Sequence, residues 1–199
     1  AGPSEILIVA DKSSNAEWLA SDLLGQAEHD QLAQCILISK DKNILEKTKK
    51  EIFDQLKNLP RSSIAKKSLM MNGILIYANS DKKIIEITNK IGPEHLELNV
   101  KNYKSFAAKI KNAGSICLGK YAVMAMTDYG APGSNHVLPT NMTSKFSSGL
   151  NVSEFMKKIS YITLTKKGID KLGPSAITLA NYEGLQGHAQ SIIKRIRRK

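Results

Sequence analysis

Long apolar runs and cysteines are the scarcest features of this 199-residue chain. No apolar stretch approaches the roughly 18 to 20 residues that span a bilayer, and no charged start leads into an apolar signal segment. We therefore expect a cytoplasmic protein that does not enter membranes. The two cysteines, Cys35 and Cys117, each lie inside an apolar, strand-like run. This favours buried free thiols over disulfides or a thiolate metal site, so any transition metal should be held by nitrogen and oxygen.

The chain also lacks the common phosphate-binding fingerprints. No Gly-x-Gly-x-x-Gly follows a predicted strand, and no Gly-x-x-x-x-Gly-Lys-Ser/Thr occurs. The sequence therefore shows no dinucleotide site of its own.

Positive charge is abundant, with a formal net charge of +11. Most lysines fall on the polar faces of predicted helices, and only residues 194–199 form a dense basic run, without interleaved aromatic residues. This favours a solvated surface. Binding to nucleic acid, or to another acidic partner, is the less favoured alternative.

Short apolar runs alternate with amphipathic segments over the first 118 residues. The pattern predicts strands at 5–10, 34–39, 73–78, 95–98 and 115–118, and helices at 16–27, 42–59, 81–91 and 103–110. Such alternation is typical of an α/β, Rossmann-like fold with a mostly parallel sheet and helices on both faces. In these sheets ligands usually bind at the carboxyl ends of the strands, and we expect the same here.

The remaining third of the sequence is less regular. Residues 119–149 lose all periodicity but contain Asp128 and His136, which favours a functional loop. Beyond Ser153 the pattern predicts helix, a short strand at 161–164, and a final helix opened by Gly173-Pro174. We expect an α/β domain over residues 1–148 and a C-terminal helical arm over 149–199.

All four histidines lie in polar settings, which suits a metal or proton-transfer site. Gln26 and His29 project from one helix face, and such an amide and imidazole pair suits zinc. Glu94 and His95 offer two proton acceptors of different basicity for a multistep reaction. A capping glutamate and a plain loop or core histidine would fit the same residues.

Several longer stretches together resemble the C-terminal half of histidinol dehydrogenase. They follow the order of that family along nearly the whole chain, and they are residues 1–5, 22–30, 91–98, 135–140, 146–150 and 183–188.

The resemblance implies a zinc-dependent, NAD-linked enzyme that oxidises L-histidinol through the aldehyde to L-histidine. It implies Gln26, His29, Asp128 and His188 as zinc ligands that also contact substrate, and Glu94 and His95 as the acid/base pair, with His95 touching substrate. Ser4, His136 and Glu183 would complete the substrate pocket. The family also implies a homodimer in which the C-terminal segment completes the partner's site.

The chain departs from the family in two ways. It has no counterpart of the N-terminal half, which carries the NAD contacts. Residues 122–127 replace a usual Pro-Glu pair and glycine, and one extra residue separates Asp128 from His136. We therefore expect a zinc and histidinol half-site that needs a separate N-terminal half for turnover. The alternative is a non-catalytic truncated remnant or binding module with a basic surface.

Overall fold

The computed structural model describes residues 3–130 and 135–196, which fall into two compact units, residues 1–154 and 155–199. Three features predicted from the sequence reach beyond the described residues. They are the first two residues of the family stretch 1–5, the segment 129–135 with its extra residue, and the last three residues of the basic run 194–199.

The described part of the first unit holds five strands and six helices, followed by a short 3-10 turn at Thr143–Lys145. A second 3-10 turn, Val152–Phe155, lies where the sequence passes from the first unit to the second. The strands are β1 (Glu5–Ala10), β2 (Gln34–Ser39), β3 (Gly73–Tyr77), β4 (His95–Asn99) and β5 (Ser115–Leu118). The helices are α1 (Ala16–Ala27), α2 (Lys42–Leu56), α3 (Ser62–Asn72), α4 (Asp81–Ile91), α5 (Tyr103–Ala107) and α6 (Met124–Tyr129).

The five strands form one sheet in the order β3-β2-β1-β4-β5, and every pair is parallel. All six residues of the central strand β1 are buried. A strand covered on both faces needs apolar or fully bonded side chains on both, which explains its nearly unbroken apolar run. The predicted α/β, Rossmann-like class is confirmed.

Each face of the sheet has its own core. Ile6, Ile8 and Leu37 face α1, α2 and α3, whereas Leu7 and Leu96 belong to the opposite core with α4 and α5. The alternation follows from the two-residue period of a strand. Helices therefore cover both faces, as predicted.

The helix predicted over 42–59 ends earlier, at Leu56, and a separate helix, α3, follows it. Pro60 lacks an N–H and disfavours helix before it, which accounts for the break. The sequence pattern did not predict α3, because Ala65 and Ser68 are its only fully buried residues and no apolar stripe marks it.

The prediction that residues 119–149 are irregular throughout is wrong at α6 and at the 3-10 turn that begins at Thr143. α6 is only six residues long. Fewer than two helical turns are too few to produce a recognisable apolar period.

Two helices, α7 (Lys166–Tyr182) and α8 (Gln186–Ile196), dominate the second unit. The strand predicted at 161–164 is wrong: Tyr161 and Ile162 are exposed, and the described part of the unit holds no strand to pair with them.

Gly173-Pro174 does not open a helix, because Pro174 lies inside α7. Gly173 instead permits close packing of the two helices: a Cβ there would lie 2.3 Å from Ile196 Cδ1. Within the described residues, no helix is long and apolar enough to cross a membrane. Cys35 and Cys117 are buried and free, as predicted.

Candidate active site at the amino ends of the strands

A cavity of about 320 Å³ opens in the first unit where β1 and β4 begin. Seven of the nine predicted site residues line it, together with Met124 and Tyr129; the seven are Ser4, Gln26, His29, Glu94, His95, Asp128 and His136. The volume suits a small polar ligand.

The position of the cavity corrects one expectation. Ser4 precedes β1, Glu94 precedes β4, and His29 follows α1 and precedes β2, so the cavity lies at the amino ends of the strands. The prediction of a site at the carboxyl ends is wrong. The carboxyl-end rule reflects loops that follow strands, whereas here Ser4, His29 and Glu94 stand in the loops that enter them.

Glu94 is held against the start of β1 by a reciprocal pair of hydrogen bonds. The Glu5 N–H donates to Glu94 Oε2 at 2.9 Å, and the Glu94 N–H donates to Glu5 Oε2 at 3.3 Å. The other oxygen of Glu5 accepts a bond from the Asn141 N–H at 2.8 Å, and Ser4 bonds the Glu94 side chain. Both carboxyl groups are buried, and these hydrogen bonds hold the Glu94 side chain in place at the start of the two strands.

Burial raises the pKa of Glu94 from 4.5 to about 7. The Glu5 N–H opposes that rise by bonding the carboxylate, while the negative charges of Glu5 and Asp128 reinforce it. A carboxyl group with this pKa can both release and accept a proton near neutral pH.

His95 is the first residue of β4 and is only 5% exposed. Burial lowers its pKa, with Asp128 opposing the effect. Its Nε2 lies 3.9 Å from Glu94 Oε1, and its Nδ1 is buried with no hydrogen-bond partner among the described residues. Because burial favours the neutral ring, His95 is suited to accept a proton.

Gln26, His29 and Asp128 bring an amide, an imidazole and a carboxylate to the cavity. Gln26 is 1% exposed, yet neither its Oε1 nor its Nε2 finds a hydrogen-bond partner in the described part of the chain. An unpartnered buried amide costs about 1–3 kcal/mol. Such a cost indicates a place for a bound ligand or metal ion at this amide.

His136 contacts the same region from the loop that follows α6. Its Nε2 lies 2.6 Å from the Asp128 carbonyl oxygen and 3.9 Å from Asp128 Oδ1. Because a carbonyl only accepts, Nε2 must carry the proton in this contact. The bond ties the exposed His136 to the helix that carries Asp128.

Glu183 and His188 belong to the second unit. Glu183 caps the end of α7, His188 lies in the first turn of α8, and both are exposed. Within residues 3–130 and 135–196, no group of three His, Cys, Asp or Glu side chains is arranged to hold a metal. Five such side chains line the cavity, and two of them, His29 and Asp128, are predicted zinc ligands beside the Gln26 amide.

Sequence reasoning missed three residues of the site. Glu5 was missed although it is a charged residue at the start of an apolar strand. A charged residue within such a run is often buried and paired, so its position could have indicated a role in the site. Met124 and Tyr129, at the two ends of α6, line the cavity and carried no pattern of their own.

A family model for histidinol dehydrogenase matches residues 1–196. The chain belongs to the histidinol dehydrogenase family. The histidinol dehydrogenase of Pelagibacter ubique is 72% identical over the whole chain, and that of Methanocaldococcus jannaschii is 44% identical over 99% of it. The crystal structure of histidinol dehydrogenase from Elizabethkingia anophelis superposes with a TM-score of 0.87, at 41% identity over 98% of this chain.

These findings confirm the predicted resemblance and place the chain in an oxidoreductase family of histidine biosynthesis. The chain spans about half the length of its relatives: 46% of the Pelagibacter enzyme, and 45% of the Methanocaldococcus and Elizabethkingia ones.

Proposed function

We propose that this chain is the zinc- and histidinol-binding half of a histidinol dehydrogenase that oxidises L-histidinol through the aldehyde to L-histidine with NAD. The observation that carries the proposal is the single cavity that gathers Gln26, His29, Glu94, His95 and Asp128.

Zinc fits the donor set of the cavity. Gln26, His29 and Asp128 offer one nitrogen and two oxygen donors, and the buried Gln26 amide lacks any partner among the described residues. Four donors complete the usual zinc site. We propose that His188 is the fourth. When bound, zinc would orient the substrate as a Lewis acid, and NAD, held outside this chain, would supply the hydride acceptor.

His95 and Glu94 divide the proton transfers. The neutral His95 ring accepts the hydroxyl proton of histidinol in the first oxidation, because burial disfavours its charged form. Glu94 accepts a proton from the water that adds to the aldehyde before the second oxidation. Its pKa of about 7 lets it return that proton to solvent near neutral pH.

Ser4, His136 and Glu183 bind the substrate in this proposal. Glu183 faces the substrate amine, and both Glu183 and His188 reach the site from the partner subunit of a homodimer. A swapped helical segment of this kind gives an isologous, closed dimer.

Exposed apolar side chains support a larger assembly around the first unit. In the edge strand β3, Ile74 is 44% and Tyr77 is 50% exposed, and Leu118 in the opposite edge strand is 45% exposed. Edge strands with apolar side chains are usually covered in a complete protein. We propose that the remaining length of the family sequence, as a separate half or part of a longer chain, covers them and holds NAD.

Calorimetric titration of the chelator-treated chain with Zn²⁺ tests the metal site. We expect about one zinc per chain, with affinity weakened at least tenfold by Gln26→Met or by Asp128→Asn. Asp170→Asn makes the same chemical change on the exposed surface of α7 and should leave zinc affinity unchanged. Equal affinities for the Asp128 and Asp170 variants would remove Asp128 from the site.

NADH formation from L-histidinol tests the reaction. We expect none from the chain alone, and turnover when the missing half of a relative's sequence is added. Glu94→Gln and His95→Asn should each abolish that turnover while zinc still binds. Robust turnover by the chain alone would overturn the need for a second half. Absence of both zinc and turnover would favour the non-catalytic remnant.

A further inference from the structure

We propose that Asp22 and Glu97, two carboxyl groups hydrogen-bonded to each other in the interior, are positioning residues that hold α6, and with it Asp128, at the cavity. The role in metal binding rests on the proposed function, whereas the role in holding α6 stands on its own.

Glu97 caps the start of α6 from the sheet. Its Oε1 accepts a 2.7 Å hydrogen bond from the N–H of Met124, the first residue of α6. The residue that precedes the helix, Val123, makes no side-chain cap. The first N–H groups of a helix lack partners within it, so an acceptor from elsewhere fixes where the helix begins. Asp128 follows Met124 by one helical turn.

Asp22 approaches the same point from α1. It lies one helical turn before Gln26, and its side chain is hydrogen-bonded to that of Glu97. Glu97 in turn lies two residues along β4 from His95, on the same face of the strand. The pair therefore connects the three elements that carry Gln26, His95 and Asp128.

The contact between two carboxyl groups requires a proton. Asp22 Oδ2 and Glu97 Oε2 are both buried, and neither meets an N–H or O–H donor among the described residues. A single proton held between the carboxyl groups supplies the missing donor. Burial raises the pKa of each group, and the charge of Asp22 raises that of Glu97 further, which favours retention of the proton.

A neutral side chain of the neighbouring strand lies beside the pair. Cys117 lies beside Glu97 in the neighbouring strand, and burial raises the pKa of its thiol to about 12, so it stays neutral. Glu97 is 2% exposed. Asp22 is half-buried, with its Oδ2 shielded from solvent. Water therefore cannot readily replace Glu97, and loss of that carboxyl group should loosen α6.

Hydrogen exchange in the metal-free chain tests the hold on α6 without reference to any activity. Glu97→Ala should speed exchange of the Met124 amide at least tenfold. Glu97→Gln should leave it within about threefold, because its Oε1 still accepts from Met124 and its amide donates to Asp22. Asp22→Asn should behave like Glu97→Gln. The control is Thr88→Ala, which removes a buried hydroxyl, unpartnered among the described residues, from α4 on the other face of the sheet.

Zinc titration of the same variants tests the effect on the site. Glu97→Ala should weaken Zn²⁺ binding roughly tenfold or more, a typical loss for residues that support ligands. Glu97→Gln, Asp22→Asn and Thr88→Ala should stay within about threefold of the parent chain. If Glu97→Ala does not fold, Asp22→Ala replaces it, with faster α6 exchange and weaker zinc binding than Asp22→Asn.

The outcomes separate the two proposals. A parent chain that binds no zinc overturns the proposed metal site, while exchange at Met124 still decides the role of the pair. Zinc binding by the parent with unchanged exchange and affinity in Glu97→Ala overturns the role of the pair. Equal damage from Glu97→Gln and Glu97→Ala would also overturn it.

Discussion

Replacement of Glu94 by Gln should change how the stability of the first unit depends on pH. The pKa of Glu94 is about 7 in the folded chain, against an ordinary value of 4.5 that we take for the unfolded chain. Between these two pH values the folded state retains a proton that the unfolded state has lost. Stability from this group is therefore fully present below pH 4.5 and is lost as the pH rises through about 7.

The magnitude follows from the width of that interval. Each pH unit in which the two states differ by one proton changes the free energy of unfolding by about 1.4 kcal/mol. From pH 4.5 to about 7, Glu94 alone should lower stability by about 3 kcal/mol. Gln cannot ionise, and its Oε1 can still accept the Glu5 N–H, so the variant should lack this loss.

Urea unfolding of the parent and of Glu94→Gln at several pH values between 5 and 8 measures the difference. We expect similar stability near pH 5 and a variant about 3 kcal/mol more stable than the parent at pH 8. Glu86→Gln provides the matched control, because Glu86 is a solvent-exposed partner of Lys83 on α4. It should follow the parent at every pH. Parallel curves for the parent and Glu94→Gln would refute the assignment of a raised pKa to Glu94.

Three further predictions concern packing and metal. Gly114→Ala should cost about 1–3 kcal/mol in urea unfolding, because its Cβ would lie 2.6 Å from the Glu94 carbonyl oxygen; unchanged stability would contradict that close approach. Gly173→Ala should lower the thermal stability of the helical unit by forcing Ile196 aside, whereas Gly187→Ala, with open space around it, should raise it by roughly 0.5–1 kcal/mol. Chelation of zinc from a chain saturated at 100 times its dissociation constant should lower stability by about 2.7 kcal/mol, seen as a lower melting temperature; an unaffected melting curve would contradict tight binding.

The sheet could be predicted from sequence because its strands are buried on both faces. β1 and β2 carry nearly continuous apolar runs, and α1, the helix between them, carries a clear apolar stripe. Elements without that signature were misjudged. α3 buries few residues, and the alternating residues at 161–164 have no partner strand in the described part of the chain.

The membership of the site was easier to predict than its place. Ser4 and Glu94 each directly precede a predicted strand, so their sequence positions already indicated the amino edge of the sheet. The carboxyl-end rule for parallel sheets predicts the opposite edge. The partners of Glu94 were beyond prediction, because Glu5 stands 89 residues away and only the parallel register of β1 and β4 brings them together.

The reciprocal bonds of Glu5 and Glu94 extend the ladder between β1 and β4 by one pair of hydrogen bonds, in which each backbone N–H donates to the other residue's carboxyl group. Proton transfer at Glu94 must therefore act on the backbone ends of both strands, because the carboxyl group that exchanges the proton also accepts the Glu5 N–H. Opening of the strand ends at this edge should therefore be coupled to protonation of the proposed acid/base residue. The Glu5 amide resonance should then report the protonation state of Glu94 in the resting protein, with no substrate, metal or second half present.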